Sequence, residues 1–417
     1  MKRGERMWKK GVFILSIGLL IFGFSIGWGQ ENKIRIGISC ARTGPAAKLG
    51  KAYLTGWTAY FKKVNSEGGI NGKKIEWIVL DDAYVASKAV ENTKRLLDQG
   101  VDILAGYVGT PTTRAVLNWI EQNNVHVPFF FPLTGATILK KTIFANTYSI
   151  RPFYKDEIQL MVDYFVSRGY TKFGVFYQND TFGYSGRDAL RDVLGKYDLI
   201  PVYEGYYEKK TLEMNKAIED VVRIMPEVVI LVGTAPPALK FMEEVFSKIG
   251  RNAPIFVCLS FVSADELAEW KNIDKLKIFA SQIVPSPKTE LDLPIVQEFR
   301  FAMKKFYPNA PLSFVSLEGF LGAKLLCEII KKAESVSPSA LRRTAERIEG
   351  YDIGIGSVLR YNSLNHRVKL PVSLYRWTPS GWKMVVRRRF NLEMPKEKEN
   401  VKVDVFIDSV VSKEKGK

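Results

Sequence analysis

The chain has 417 residues, 46% of them hydrophobic, which is too long for one average domain and enough for two or three that each bury a core. With 61 Lys and Arg against 44 Asp and Glu, the formal net charge is +17. The surplus is thinly spread, densest at Arg387-Arg388-Arg389 and in the Lys/Glu-rich tail after Pro395, so it reads as a solvated basic surface and not as a nucleic-acid interface.

Residues 1–29 open with Lys2, Arg3, Arg6, Lys9 and Lys10, followed by an uncharged run from Gly11 to Trp28. Gly27-Trp28-Gly29 puts small residues three and one positions ahead of a cut before Gln30. This is the pattern of a secretory signal peptide. An uncleaved anchor is the alternative, because the 18-residue run is just long enough to span a membrane. No cysteine follows the run to carry a lipid anchor. A periplasmic or secreted protein is expected.

Beyond the signal, strands and helices alternate. Ile34–Ser39 reads as a strand. Lys51–Asn65 reads as a helix, with Leu54, Trp57, Phe61 and Val64 at steps of three and four. Strand Ile75–Leu80, helix Ser87–Asp98, strand Val101–Val108, helix Thr113–Asn123 and strand Val125–Phe131 follow. A second cycle runs through helix Asp156–Arg168, strand Lys172–Tyr177, helix Ser185–Lys196, strand Ile200–Tyr206, helix Glu213–Arg223, strand Val228–Val232, helix Pro237–Lys248, and strands Pro254–Leu259 and Leu276–Ile283. A helical stretch covers Val296–Lys332. Continuous apolar strands separated by helices predict parallel sheets covered on both faces.

The segment NSEGGINGKKIEWIVLDD (65–82) has three glycines beside a strand. A phosphate loop runs from strand into helix. Here the direction is reversed: Gly68-Gly69 follow a helix, where a left-handed C-cap is needed, and Asn71-Gly72 is a favoured hairpin pair. The segment is a joint and not a nucleotide site.

Catalytic chemistry is sparse. His126 sits in the apolar VHVPFFFP run as a structural residue, and His366 lies in a polar turn. Gly183-Tyr184-Ser185-Gly186 lacks nucleophile-elbow spacing, and Ser185 is read as a helix N-cap. Asp81-Asp82 end a strand and are read as turn-forming. Cys40, Cys258 and Cys327 are too few and too odd in number for a disulfide framework and read as buried hydrophobes. No enzyme, cofactor or metal site is expected.

Five stretches together resemble the solute-binding proteins of branched-chain amino-acid-type ABC transporters: IRIGISCARTGPAAKLGKAYLTGW (34–57), the joint at 65–82, GYVGTPTTRA (106–115), PFFFPLTGAT (128–137) and VFYQNDTFGYSG (175–186). The resemblance runs from about residue 33 to about 385. It implies an α/β type I periplasmic binding protein fold, with two Rossmann-like lobes of parallel sheet joined by a three-segment hinge. The first lobe would hold residues 33–150 and 285–355, and the second 151–284 and 356–394, with 395–417 a charged C-terminal tail. Arg151-Pro152, Pro285-Ser286-Pro287 and Gly354-Ile355-Gly356 would be the crossings.

Ligands of such sheets bind beyond the strand carboxyl ends. The family pattern then implies Gly109, Thr110, Gly135, Ala136 and Thr137 from the first lobe, anchoring a ligand carboxylate, and Phe182, Thr234 and Ser260 from the second, with Tyr107 and Phe182 flanking an apolar or aromatic ligand body. Amino-acid-binding members usually carry an acid near the Ser260 position for the ligand ammonium. This chain reads CLSFVSADE there, with its first acid at Asp265. An unpaired ammonium in a closed cleft is costly, so a carboxylate without an amine, or an amide, is expected over an α-amino acid. The implied role is the binding component of an ABC importer, a monomer that meets a membrane permease and no nucleic acid. A ligand-sensing module for a membrane receptor is the alternative.

N-terminal sequencing of protein recovered outside the cytoplasm is expected to begin at Gln30. A chain that starts at Met1 and stays in the membrane pellet would refute the signal.

Overall fold

The structure, a computed structural model, describes residues 33–140, 146–363, 365–368, 370–390 and 401–405. The signal segment and most of the charged tail lie outside them. The first sheet contains β1 (Lys33–Cys40), β2 (Lys74–Asp81), β3 (Ile103–Ala105), β4 (Phe129–Phe130) and β5 (Thr147–Tyr148), in the order β2-β1-β3-β4-β5. Every pairing in it is parallel. Helices α1 (Ala47–Ser66), α2 (Ala86–Asp98) and α3 (Thr110–Gln122) connect its strands.

The second sheet begins with β6 (Phe173–Gln178), β7 (Tyr203–Tyr207), β8 (Val228–Val232), β9 (Ile255–Cys258) and β10 (Ile278–Gln282), again parallel. Its helices are α4 (Tyr154–Val166), α5 (Thr181–Leu194), α6 (Asn215–Ile224), α7 (Ala235–Ile249) and the short α8 (Ala264–Ala268). Next come α9 (Pro294–Phe306), α10 (Phe314–Lys332), α11 (Pro338–Ala345) and a small hairpin of β11 (Tyr351–Asp352) and β12 (Val358–Leu359). The second sheet is completed by antiparallel β13 (Val372–Thr378), β14 (Gly381–Phe390) and β15 (Val401–Val405), giving the order β15-β14-β13-β10-β9-β8-β6-β7. Part of the expected tail is therefore an edge strand.

Sequence and structure agree at the glycine joint. Gly68 and Gly69 take φ of 106° and 89°, and the Gly69 N–H donates to Val64 O at 2.9 Å, closing α1. Asn71 and Gly72 are both left-handed, and Ile70 and Lys73 exchange backbone hydrogen bonds of 2.8 and 2.9 Å, as a two-residue hairpin requires.

Elsewhere tertiary contacts shorten or shift what periodicity predicts. Strand Val125–Phe131 contracts to β4, because Asn124 and Phe131 take φ of 51° and 52°. His126 falls outside the sheet and is exposed instead of structural. Helix α5 starts four residues before Ser185. Asp180 is its N-cap, accepting from the Phe182 and Gly183 N–H groups, while Ser185 Oγ donates back to Thr181 O. Gly354 and Gly356 are left-handed, but Gly354 O accepts from Ile295 N–H, which ties that turn to α9. The chain returns toward the second sheet later, along 361–370, where Ser149 bonds both His366 O and Val368 N–H at 2.9 Å.

Helix α10 lies against α1, which attaches the late helices to the first lobe. The two helices approach through glycine. A Cβ on Gly56 would lie 1.8 Å from Ser316 O, and one on Gly319 would lie 2.1 Å from Tyr53 O. Trp57, fully buried beside this contact, stacks toward Phe131, the residue just past β4. Gly56→Ala is expected to lower stability by about 1–3 kcal/mol, read as a shifted urea midpoint, because neither backbone can yield without repacking. An unchanged midpoint would mean that the helices separate easily.

Candidate functional site

Both sheets end their parallel strands toward a common cleft, and the loops after those ends carry the candidate site. On the first lobe, Gly109 caps α3 with φ 102°. A Cβ there would lie 2.2 Å from Tyr84 Cε2, so only glycine lets that ring in. Thr110 Oγ1 and Thr134 Oγ1 are 2.7 Å apart, and the Tyr154 hydroxyl is 3.4 Å from Thr110. Thr134 Oγ1 also accepts from Ala136 N–H at 3.2 Å, and Gly135 O accepts from Tyr154 N–H at 2.8 Å. Gly109, Thr110, Gly135 and Ala136 are thus brought together.

Two expected residues are not. Gly106, at φ 66°, turns the chain after β3, and Tyr107 enters the core under α2. Its hydroxyl is 2.9 Å from Thr93 Oγ1 and its ring centroid 4.8 Å from that of Phe129. Thr137 is exposed at the start of a 3-10 turn. The buried hydroxyl of this loop belongs to Thr134, three residues earlier in the same TGAT stretch.

On the second lobe, Phe182 is fully buried, with ring centroids 5.2 Å from Tyr154 and 4.6 Å from Phe261. Thr234 caps α7. Its N–H donates to the Tyr207 hydroxyl at 3.1 Å, while its own Oγ1 is buried without a partner. Ser260 is committed elsewhere: its N–H donates to Glu157 Oε2 at 3.1 Å and its Oγ accepts from Arg151 Nη2 at 2.5 Å.

Sequence reasoning missed Tyr84. Ala83 and Tyr84 are consecutive left-handed residues, at φ 50° and 61°. The Asp81-Asp82 pair holds them there: Asp81 Oδ1 accepts from Ala83 N–H at 2.9 Å and Asp82 Oδ1 from Tyr84 N–H at 2.8 Å. This strained turn sends the Tyr84 ring out of the first lobe to within 6.2 Å of the Phe261 ring of the second. Its hydroxyl is buried and unpartnered. Lys209, from the loop after β7, places Nζ 3.8 Å from the Tyr84 ring centroid. The run of two acids before two such residues was the available signal, since turn-forming acids often bond the backbone two residues on.

Burial dominates the electrostatics. It pushes the Asp82 carboxyl up to about 6, against the Tyr84 N–H and Ser39 hydroxyl, which pull it down. Burial raises Asp180 and lowers Lys209, and Lys209 and Asp180 each oppose the other's shift. Asp265 accepts from Phe314 N–H at 2.9 Å and faces Lys288, so it does not serve the cleft.

Beneath the site the crossings are tied by buried ions. Arg151 pairs with Glu318 of α10 at 3.0 Å as well as with Ser260. Glu157 accepts from Ser260 and from Ser281 Oγ. Arg367, from the returning crossing, donates to Arg151 O at 2.9 Å and Ala136 O at 3.4 Å, and lies 3.5 Å over the Phe153 ring. Burial pulls the Arg367 guanidinium down to about 9, and burial pushes the Glu318 carboxyl up to about 7 despite Arg151. Among the described residues no group of three or more His, Cys, Asp and Glu could hold a metal, and no helix is long and apolar enough to cross a membrane. The three cysteines are buried, with thiols raised by burial.

Known proteins share this architecture. The family model for periplasmic binding proteins matches residues 33–382. The Leu/Ile/Val-binding protein homolog 7 of Brucella suis biovar 1 (strain 1330) is 23% identical over 386 residues, covering 88% of this chain and 94% of that protein. A possible leucine/isoleucine/valine-binding protein from Rhodopirellula baltica SH 1 superposes with a TM-score of 0.79 at 29% identity, over 85% of this chain and 97% of its own. A solute-binding protein of an ABC transporter from R. palustris, solved in complex with benzoate, has the same fold at 18% identity, with a TM-score of 0.72 and coverage of 84% and 95%. The chain belongs to the periplasmic binding protein family.

Proposed function

We propose that this protein is the extracytoplasmic binding component of an ABC importer, and that it closes on a small carboxylate between Tyr84, Thr110 and Thr134 of one lobe and Phe182 and Thr234 of the other. After removal of residues 1–29 it acts in the periplasm as a monomer and delivers its ligand to a membrane permease. The observation that carries the reading is a pair of buried hydroxyls, one on each lobe, whose bonding is incomplete. Tyr84 Oη from the first lobe lies beside the Gln178 side chain and Thr234 Oγ1 from the second beside the Tyr207 hydroxyl, neither in good hydrogen-bond geometry. A poorly satisfied buried hydroxyl is costly, and a polar ligand group between the lobes would complete both.

A carboxylate fits the rest. The Thr110–Thr134 hydroxyl pair stands at the N-terminal end of α3, where the helix dipole favours an anion. The acids closest to the second-lobe loops are committed, Asp180 to capping α5 and Asp265 to Phe314 and Lys288. Neither of these acids is left open for an α-ammonium at the second-lobe loops. The benzoate held by the R. palustris protein is an instance of such a ligand in the same fold.

Two measurements test this. In a thermal-shift screen, benzoate, 2-oxo and aliphatic carboxylates are expected to stabilise the protein more than leucine, isoleucine or valine. A largest shift for the branched-chain amino acids, with micromolar affinity by calorimetry, would overturn the carboxylate assignment. With the best ligand of that screen, Thr110→Ala and Thr134→Ala are each expected to weaken binding about 10- to 150-fold, the worth of a hydrogen bond to a charged group. Thr137→Ala, on the surface, is expected to change little. Unchanged dissociation constants for folded Thr110 and Thr134 variants would remove this loop pair from the site.

A further inference from the structure

Lys209 is a charged group of the cleft that the protein's own contacts leave unpaired. Among the described residues its Nζ makes no hydrogen bond and has no carboxylate oxygen within 4.0 Å. It extends from the loop after β7, where Lys210 turns the backbone at φ 68°, and crosses to the first lobe over the Tyr84 ring. Two carboxylates flank it without pairing. Asp82 is occupied by Ser39 Oγ at 2.9 Å and Tyr84 N–H at 2.8 Å. Asp180 is occupied by the Phe182 and Gly183 N–H groups and by Gln178 Nε2 at 2.6 Å. Their fields favour the protonated ammonium, against a desolvation that disfavours it. An ammonium has three donors, and a ring face meets only one side of it.

We infer that Lys209 is the residue that selects an anionic over a neutral or zwitterionic ligand, by supplying the second lobe's counter-charge to the carboxylate. The inference rests on the carboxylate-binding reading above and assigns its electrostatic partner. The Thr110 and Thr134 loops offer dipoles but no formal charge, whereas Lys209 reaches Tyr84, the same ring that touches Gly109. An anion between the lobes would therefore bring Lys209 its missing partner as the cleft closes. An α-ammonium placed against Lys209 would be repelled by it, a repulsion that works against the attraction of Asp82 and Asp180.

A competing role is purely mechanical: the ammonium over the Tyr84 ring would clamp the lobes whatever the ligand. Matched ligands separate the two. Calorimetry is run with benzoate and 2-oxoisocaproate and with their neutral primary amides, on the wild type, Lys209→Met and Lys209→Arg. Lys209→Met is expected to weaken both carboxylates about 10- to 150-fold while changing the amides less than about twofold, and Lys209→Arg to retain most of the carboxylate affinity. The wild-type affinity for the carboxylates is expected to fall with added salt more steeply than that of Lys209→Met. Equal weakening of carboxylates and amides would overturn the inference in favour of a clamp, and so would unchanged carboxylate binding. The functional reading fails separately: if the wild type binds neither carboxylate, or Thr110→Ala and Thr134→Ala bind both normally, the carboxylate site itself is wrong and the inference falls with it.

Discussion

Arg151, 1% exposed, sits where the first crossing meets both lobes. Its guanidinium reaches Glu318 on a helix of the first lobe and Ser260 on a loop of the second, and its carbonyl is held by Arg367 of the returning crossing. A buried charge is tolerated only with partners in good geometry, and removing one partner of such a pair typically costs about 3–5 kcal/mol. The crossings are thereby tied to one another, and the loops around the cleft are anchored to them. Ala136, beside the Thr110–Thr134 pair, gives its carbonyl to Arg367, while Ser260 gives its hydroxyl to Arg151. A movement of one lobe against the other must be felt in this network.

Hinge closure around a ligand is the motion for which periplasmic binding proteins are a standard example. A fully buried aromatic group, Tyr84, Tyr154, Phe182 and Phe261, fills the space between the sheets. An exposed pair, Lys48 with Glu269 at 2.7 Å, closes the rim, and as a solvent-screened ion pair it contributes little. Apolar rings of this kind exclude water where the two lobes meet.

Strain is concentrated at one place in that surface. Two left-handed residues in succession, neither of them glycine, carry Tyr84 across the cleft, and the carboxylates of Asp81 and Asp82 hold the turn. Gly109 completes the arrangement by having no side chain where the ring passes. The acidic strand end of the opening joint is thus structural support for a cleft residue and not a catalytic pair.

Periodicity along the chain determined most of the architecture, because a helix or strand that must bury one face repeats its apolar residues at a fixed spacing. Val228–Val232 matches β8 residue for residue, and the Gly68–Gly72 joint has the backbone its residue types require. Gly109, Thr110 and Gly135 were legible as candidates because they follow strand ends, and Phe182 through the family resemblance. Tertiary structure decided what spacing cannot encode. A left-handed Gly106 sent Tyr107 into the core, and the hydroxyl that met Thr110 was Thr134, not Thr137. Tyr84, Lys209 and Arg151 act across the lobes, over distances in sequence of 125 residues between the first two and 109 between Arg151 and Ser260. No local pattern carries such a contact, since it exists only when two independently folded sheets bring their carboxyl edges together.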